Sequence, residues 1–237
     1  MNEKKEYADE WSVSSQYFFE KGYYQWMAQQ LKKYSTVLEI GCGTGYSTLA
    51  LIEQGFRVIA VDKNAACIEK AKKLLDYKTI NSSQYGFYVG DITDENFVHD
   101  LISKNSFDVV VCWNIGTYWS KEMLQYYLPH MLQYGLEVQQ IRENPESSYS
   151  ELIIWEACGL AKLKNVSIHI IDRASEFIDA NNDPYYFLLR DEFGFSKITY
   201  ANLKADSISM GGRRLTTNGI VNQERKVDIK FVSLLME

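Results

Sequence analysis

The stretch VLEIGCGTGYST, residues 37–48, gives the strongest indication of the fold of this chain. It begins with an apolar run that indicates a buried strand, and three glycines then follow at alternate positions, Gly41, Gly43 and Gly45. Glycine permits a positive φ at a turn and lets a ligand come close to the backbone. The helix that follows such a turn begins with unpaired N–H groups. The stretch therefore predicts a strand, a ligand-binding turn and a helix.

Short apolar runs alternate with helical patterns beyond this stretch. Strands are predicted at 37–40, 56–62, 85–91 and 107–114, separated by helices at 48–54, 65–75 and 93–103. Further helices are predicted at 121–132, 150–163 and 184–192, and further strands at 166–172, 195–203 and 227–236. Polar stretches at 144–150 and 204–226 predict a loop and a long hairpin connection. The alternation is typical of an α/β protein whose parallel sheet is covered by helices on both faces.

Composition limits the classes of protein to which this chain can belong. The chain has 237 residues and a net charge of −6, so it lacks the basic footprint that phosphate contacts require of nucleic-acid-binding proteins. Its cysteines are far apart in sequence, which predicts no metal site and suits a reducing cytoplasm. Residues 1–11 are charged, and no run approaches the ~18 apolar residues of a membrane span. We therefore expect a cytoplasmic protein without a nucleic-acid or membrane partner.

Two acidic residues near the glycines narrow the choice of ligand. Dinucleotide-binding turns usually read G-x-G-x-x-G and hold a pyrophosphate, whereas the third glycine here comes one residue early. Glu39, two residues before the first glycine, would repel a pyrophosphate and suits an ammonium group. Asp62, at the end of the second predicted strand, can accept hydrogen bonds from both hydroxyls of a ribose. S-adenosylmethionine carries a ribose and a positive charge but no phosphate, so these residues predict it as the ligand.

Four motifs follow one another along the chain: VLEIGCGTG at 37–45, VIAVDKN at 58–64, VGDIT at 89–93 and FDVVVCWN at 107–114. Together they resemble the motifs of the class I S-adenosylmethionine-dependent methyltransferases. The resemblance covers residues 35–115 and implies a methyltransferase domain over 35–237. It implies an α/β fold with a doubly wound sheet of seven mostly parallel strands in the order 3-2-1-4-5-7-6. The last strand would be antiparallel, and helices would lie on both faces.

The same resemblance implies roles for residues at the ends of the first four strands. Asp62 and Asp91 could each cap the helix that follows, but their joint occurrence after successive strands favours contact with a ligand. Glu39 and the turn of Gly41, Cys42, Gly43 and Gly45 are implied to contact the methionine amine, and Asp62 is implied to contact the ribose hydroxyls. Around the adenine, Lys63 or Asn64 would lie beside the ring, Asp91 would accept from the amino group, and the Ile92 N–H would donate to the ring. Trp113 and Asn114 would border the methionine portion and the substrate.

Two aromatic clusters flank these motifs. Residues 14–31 predict a helix that either packs on the sheet edge or belongs to an aromatic helical lid or cap over 1–34. A second cluster follows the fourth strand and contains Tyr118, Trp119, Tyr126 and Tyr127. It packs in the core, forms a flat pocket for a planar acceptor, or stabilises the sulfonium by cation–π contact. The candidate substrate contacts in these clusters are Tyr23, Tyr118 and Trp119. Farther along, Arg213 and Arg214 either grip an acidic acceptor group or lie on a solvated hairpin.

The resemblance implies a one-step, in-line methyl transfer to an oxygen or nitrogen of a small molecule. Such a reaction depends on alignment, and it needs a general base only when the nucleophile carries a proton that it would not otherwise lose. His130 is the candidate base because it follows the segment that usually borders the acceptor. His99 is predicted to be exposed, and His169 is predicted to lie in the core.

Three alternatives remain open from the sequence. They are a methyltransferase for protein or RNA, a module that binds S-adenosylmethionine without turnover, and a dinucleotide-binding domain. Methylation of adenine in DNA is disfavoured because WNIGTYW, at 113–119, lacks the Asn/Asp-Pro-Pro-aromatic turn of related enzymes. The similar NDPYY at 182–186 follows the fifth strand instead and predicts a helix start capped by Asp183.

Overall fold

A seven-stranded sheet forms the centre of the computed structural model, which describes residues 3–113, 116–208, 216–217, 220–221 and 226–237. The strands follow the order β3-β2-β1-β4-β5-β7-β6. The first five pair in parallel, and β7 is antiparallel to both β5 and β6. The predicted fold class and strand order are confirmed. The strands are β1 Thr36–Ile40, β2 Arg57–Asp62, β3 Tyr85–Val89, β4 Val109–Trp113, β5 Ser167–Ala174, β6 Ile198–Ile208 and β7 Lys226–Met236.

Helices cover both faces of this sheet. Side chains alternate between the faces of a strand, so Val109, Val111 and Trp113 pack on one side while Val110 and Cys112 pack on the other. The first side is covered by α1–α4 and the second by α5, α8 and α9. The helices are α1 Glu3–Glu20, α2 Tyr23–Gln29, α3 Tyr46–Glu53, α4 Ala65–Tyr77, α5 Glu95–Lys104, α6 Lys121–Tyr134, α7 Val138–Glu143, α8 Pro145–Lys164 and α9 Tyr186–Phe193.

The amino-terminal helices differ from the prediction. Two helices replace the single one expected within 14–31, because the chain turns at Gly22 with a φ of +76°. In addition, α1 begins at Glu3, well before the aromatic stretch. Tyr7, Ala8 and Trp11 recur at helical spacing, and the first two are buried, so this charged segment has an apolar stripe.

The region between β4 and β5 also holds more helix than expected. The stretch 144–150 was predicted as a loop, but α8 begins there with Pro145 in its first turn. Proline suits that position, because an N–H group in the first turn has no acceptor within the helix and proline carries no N–H group. In the predicted hairpin connection, Thr216–Thr217 pairs with Ile220–Val221 in a short ribbon. None of the described helices is both long and apolar enough to span a membrane.

Candidate active site

A cleft of about 920 Å³, including its open mouth, lies at the carboxyl edge of β1–β4. Open α/β sheets bind ligands at this edge. One wall comes from the strand ends and the turns after them, with Gly41, Asp62 and Asp91. The opposite wall comes from distant aromatic residues, including Trp11 and Tyr149.

Asp62 joins the glycine turn to the end of β2. Its Oδ2 accepts a hydrogen bond from the Gly43 N–H at 2.9 Å, and its Oδ1 accepts one from the Asn64 N–H at 2.7 Å. Burial raises the pKa of this carboxyl, and the two N–H groups partly offset that effect. A carboxylate has about four acceptor positions. Within the described residues, Asp62 therefore keeps one position on each oxygen, which fits a ligand that presents two adjacent hydroxyls.

Asp91 occupies the corresponding place after β3. Its Oδ1 accepts hydrogen bonds from the Thr93 N–H at 3.0 Å and the Thr93 hydroxyl at 2.9 Å. Its Oδ2 accepts a hydrogen bond from the Tyr127 hydroxyl. The described residues thus fill three of about four acceptor positions. Asp91 can accept one further hydrogen bond, from a ligand donor at the cleft.

Glu39 does not line the cleft, although the sequence predicts that it contacts a ligand amine. Its side chain is buried within the first turn of α3, where it accepts hydrogen bonds from the hydroxyls of Ser47 and Thr48. Burial raises the pKa of Glu39 to about 7, and the two hydroxyls oppose the shift. Glu39 therefore reaches the cleft only through Ser47, which does line it.

Two glycines of the turn are required by tertiary contacts. A Cβ at Gly45, where φ is +88°, would lie 2.7 Å from the Cβ of Ala71, so this glycine permits α3 and α4 to pack. A Cβ at Gly43, where φ is +53°, would lie 2.5 Å from the Nε1 of Trp11. Glycine at 43 therefore serves a close approach by α1 as well as the turn itself.

Helix α1 closes one side of the cleft. The indole of Trp11 lies between the glycine turn and the loop after β4, since a Cβ at Gly116 would also lie 2.5 Å from its ring. Tyr7 stacks near Trp11, with ring centroids 6.5 Å apart, and meets the edge of Tyr118 at 5.3 Å. A buried hydrogen bond of 2.8 Å between Ser15 and Thr44 ties the same helix to the glycine turn.

The segment after β4 and the start of α8 form the remaining wall. The Thr117 and Ser150 hydroxyls are 2.9 Å apart, and both residues line the cleft. Trp113 stacks near Tyr24 and donates its indole N–H to Nδ1 of His169 at 3.0 Å. Because Nδ1 is an acceptor, the His169 Nε2–H donates to Ser233 at 2.8 Å. Burial lowers the pKa of His169 to about 3, so this buried imidazole is neutral and holds Trp113 in place.

The structure brings most of the predicted site residues to one cleft. Those that line it are Gly41, Cys42, Gly43, Asp62, Lys63, Asn64, Asp91, Ile92, Trp113 and Tyr118. Gly45 and Glu39 do not line the cleft, because Gly45 packs against α4 and Glu39 accepts hydrogen bonds from hydroxyls of α3. Asn114, Arg213 and Arg214 lie outside the described residues.

Three predicted residues lie away from the cleft. The Tyr23 hydroxyl donates to Asp206 at 2.5 Å, which fixes α2 to β6. Trp119 packs against Tyr149, with ring centroids 5.7 Å apart. His130 lies beside Tyr126 on α6, with ring centroids 5.8 Å apart, and does not line the cleft. None of these three residues lines the cleft.

Sequence reasoning missed several residues that line the cleft. Tyr7 and Trp11 belong to the predicted lid or cap segment 1–34 but were not among the candidate contacts, and their helical spacing was the available signal. Tyr149 and Ser150 fall in the predicted loop, which proved to be the start of α8. Their approach to the cleft depends on how α8 packs, and no local pattern indicates it.

Comparison with known proteins finds similarity to methyltransferases. A family model described as a methyltransferase domain matches residues 37–134. The chain is 37% identical over 73 residues to cypemycin N-terminal methyltransferase of Streptomyces sp., covering 30% of this chain and 29% of that protein. It is 27% identical over 92 residues to glycine N-methyltransferase of Mus musculus, covering 38% and 31%. The matches thus span less than a third of either relative.

A solved structure shares the fold over almost the whole chain. It is a SAM-dependent methyltransferase from Agrobacterium tumefaciens, with a TM-score of 0.51 and 12% sequence identity. The match covers 92% of this chain and 62% of that one. At this identity the likeness concerns the fold, and it agrees with the strand order described above.

Proposed function

We propose that this chain transfers a methyl group to an oxygen or nitrogen of a small molecule. By its matched domain and its fold, the chain is a member of the class I S-adenosylmethionine-dependent methyltransferases. The observation that carries the proposal is the pair of aspartates at one cleft. Asp62 and Asp91 are both held by protein donors and both keep acceptor positions for a ligand. A nucleoside without phosphates satisfies both of them.

The described residues fit S-adenosylmethionine, the cofactor of this family. Asp62 would accept from the two ribose hydroxyls, and Asp91 would accept from the adenine amino group. When bound, the cofactor supplies a methyl group on a positively charged sulfur. Trp11, Tyr24 and Trp113 give the cleft aromatic surfaces, which favour a cation by contact with their faces.

The protein contributes mainly alignment and exclusion of water. Positioning of two reactants can lower a barrier by about 7–11 kcal/mol in favourable cases. The acceptor would enter beside Thr117, Tyr118 and Ser150, which line the cleft beyond β4. His130 lies elsewhere on α6, so we do not assign it the role of base. An acceptor whose nucleophile already has a free lone pair needs no base.

We further propose that residues 1–34 form the lid or cap of the site. Trp11 lies against the glycine turn, and Asn64 donates to the Lys4 carbonyl at 2.9 Å. These contacts tie α1 to the turn after β1 and to the end of β2, two of the strand ends that would hold the cofactor. The helix would shield the bound ligand from water.

The acceptor is proposed to be small and the protein cytoplasmic. The net charge of −6 disfavours RNA as the substrate. Both sequence relatives are named for methylation, one at an N-terminus and one at the nitrogen of glycine, which makes an amine the first acceptor class to test. All four cysteines are buried free thiols, which supports a reducing compartment.

Calorimetry with S-adenosylmethionine, S-adenosylhomocysteine and NAD tests the cofactor. We expect the two sulfur compounds to bind and NAD not to bind. Binding of NAD alone would overturn the proposal in favour of a dinucleotide-binding domain. A methyl-transfer screen over small amines, hydroxy compounds, peptides and RNA would then identify the acceptor. Cofactor binding without transfer to any of them would favour a binding module.

A further inference from the structure

A polar chain connects α6 to the cleft aspartate after β3. Tyr127 projects from α6, is almost fully buried, and donates its hydroxyl proton to the Oδ2 of Asp91. The Lys63 ammonium lies 3.5 Å from the same hydroxyl oxygen. Lysine can only donate, so the Tyr127 oxygen accepts from Lys63 and its proton is directed at Asp91. The chain therefore runs in one direction, from Lys63 through Tyr127 to Asp91.

Aromatic packing holds this chain in place. The Lys63 ammonium lies 3.8 Å from the ring centroid of Tyr149 and 4.8 Å from that of Tyr127. The two tyrosine rings pack with centroids 4.7 Å apart. Burial and the neighbouring Asp91 raise the pKa of Tyr127 above its ordinary value, so its hydroxyl stays protonated and remains a donor.

Asp91 is consequently fixed on both of its oxygens. Thr93 holds Oδ1 with two hydrogen bonds, and Tyr127 holds Oδ2. One acceptor position on Oδ2 is left by the described residues. A carboxylate held in this way cannot turn to follow a donor that moves along the edge of a ligand.

We propose that Tyr127 is a positioning residue that determines the base specificity of the cofactor site by fixing Asp91 toward the 6-amino group of a purine. The inference rests on the proposed function. A 6-oxo purine carries no donor at that position and instead has one at the adjacent N1. A fixed Asp91 would be left opposite the 6-oxo oxygen, whereas a mobile Asp91 could turn to the N1–H. Sites built to bond a donor reject analogues that lack it strongly.

The proposal makes base recognition depend on the helical region between β4 and β5. Tyr127 and Tyr149 come from α6 and α8, and Tyr149 lines the cleft. The strands and turns alone would present an aspartate of the right charge. The helices would determine which donor it can reach.

The experiment compares S-adenosylhomocysteine with S-inosylhomocysteine, which replaces the amino group by an oxo group. Affinities for both are measured on wild type, Tyr127→Phe, Asp91→Ala and the double variant. Tyr126→Phe is the matched control, because Tyr126 is the neighbouring tyrosine of α6 and is 53% exposed. Both ligands are titrated into the same preparation, so the ratio of affinities does not depend on the folded fraction.

We expect wild type and Tyr126→Phe to prefer S-adenosylhomocysteine strongly. Tyr127→Phe should lower that preference by about tenfold, the value of one hydrogen bond to a charged group. In the Asp91→Ala background the same change should leave the preference unaltered, because Tyr127 acts through Asp91. A purely structural role for the hydroxyl would lower both affinities alike in both backgrounds.

Two outcomes would overturn the inference while the proposed function stands. One is an unchanged preference in Tyr127→Phe, and the other is an equal loss of preference with and without Asp91. If wild type binds neither homocysteine compound, the proposed function itself fails, and the inference fails with it.

Discussion

The two walls of the cleft are built on different principles. We define the frame as the ends of β1–β4 and the turns after them. In the frame, two backbone N–H groups hold Asp62, and one backbone N–H group is among the donors that hold Asp91. The cover, which we define as α1 with α6–α8, reaches the cleft through aromatic side chains such as Trp11 and Tyr149. Backbone donors belong to short local turns, whereas aromatic contacts require distant helices to pack correctly. The frame therefore presents the carboxylates that accept hydrogen bonds from a ligand, and the cover would control the access of ligands to the cleft and the choice among them.

The largest expected effect comes from removing the Asp62 carboxylate, which is proposed to accept hydrogen bonds from the ribose hydroxyls. Asp62→Ala would remove two hydrogen bonds to a charged group, worth about 3–6 kcal/mol together, and weaken binding of S-adenosylhomocysteine by more than about a hundredfold. Calorimetry measures the change. Asp100→Ala is the control, because Asp100 pairs with Lys104 on the exposed face of α5. An affinity for Asp62→Ala close to that of wild type would remove Asp62 from the ligand contact.

A second prediction separates the two kinds of acid within the frame. The pKa of Glu39 is raised from 4.5 to about 7 in the folded state, so folding favours its protonated form. That contribution is complete below about pH 4.5 and is lost as the pH rises through about 7. Relative to Glu39→Gln, wild type should lose on the order of 3 kcal/mol of unfolding free energy between about pH 4.5 and pH 8.

Urea unfolding of both proteins across this pH range tests the second prediction. Buried groups that do not interact with Glu39 contribute equally to wild type and Glu39→Gln, so the difference reports Glu39 together with its repulsion by the Asp62 carboxylate. Parallel curves for the two proteins would show that folding does not raise the pKa of Glu39. The contrast between a buried Glu39 and a ligand-facing Asp62 would then lose its support.

The smallest expected effect tests whether the cover lies on the frame. Gly116→Ala places a methyl group against Trp11, and overpacking of this kind costs about 1–3 kcal/mol. The cost should vanish in a Trp11→Ala background, where the space is free. Unfolding of the four proteins of this double-mutant cycle measures the coupling. An equal cost in both backgrounds would mean that Trp11 does not approach the loop after β4.

Much of the frame could be predicted from the sequence. The glycine turn, Asp62 and Asp91 all lie within a few residues of a strand end, and the alternation of strands and helices places those ends at one edge. The predicted strand order is confirmed. The role of Glu39 could not be predicted in the same way. Its motif position suggests a ligand contact, but whether its carboxylate faces the cleft or the hydroxyls of α3 depends on side-chain packing.

Periodicity and short turns are local properties of the chain, so they indicated the α/β class and placed Asp62 and Asp91 at strand ends, whereas the strand order followed from the resemblance to a known family. The folded structure was needed to show that Trp11 lies against Gly43 and Gly116, that Tyr127 bonds Asp91, and that His130 and Tyr23 lie away from the cleft. Those contacts join residues far apart in the chain. The packing of whole helices decides them, and that packing depends on all the residues of the core together.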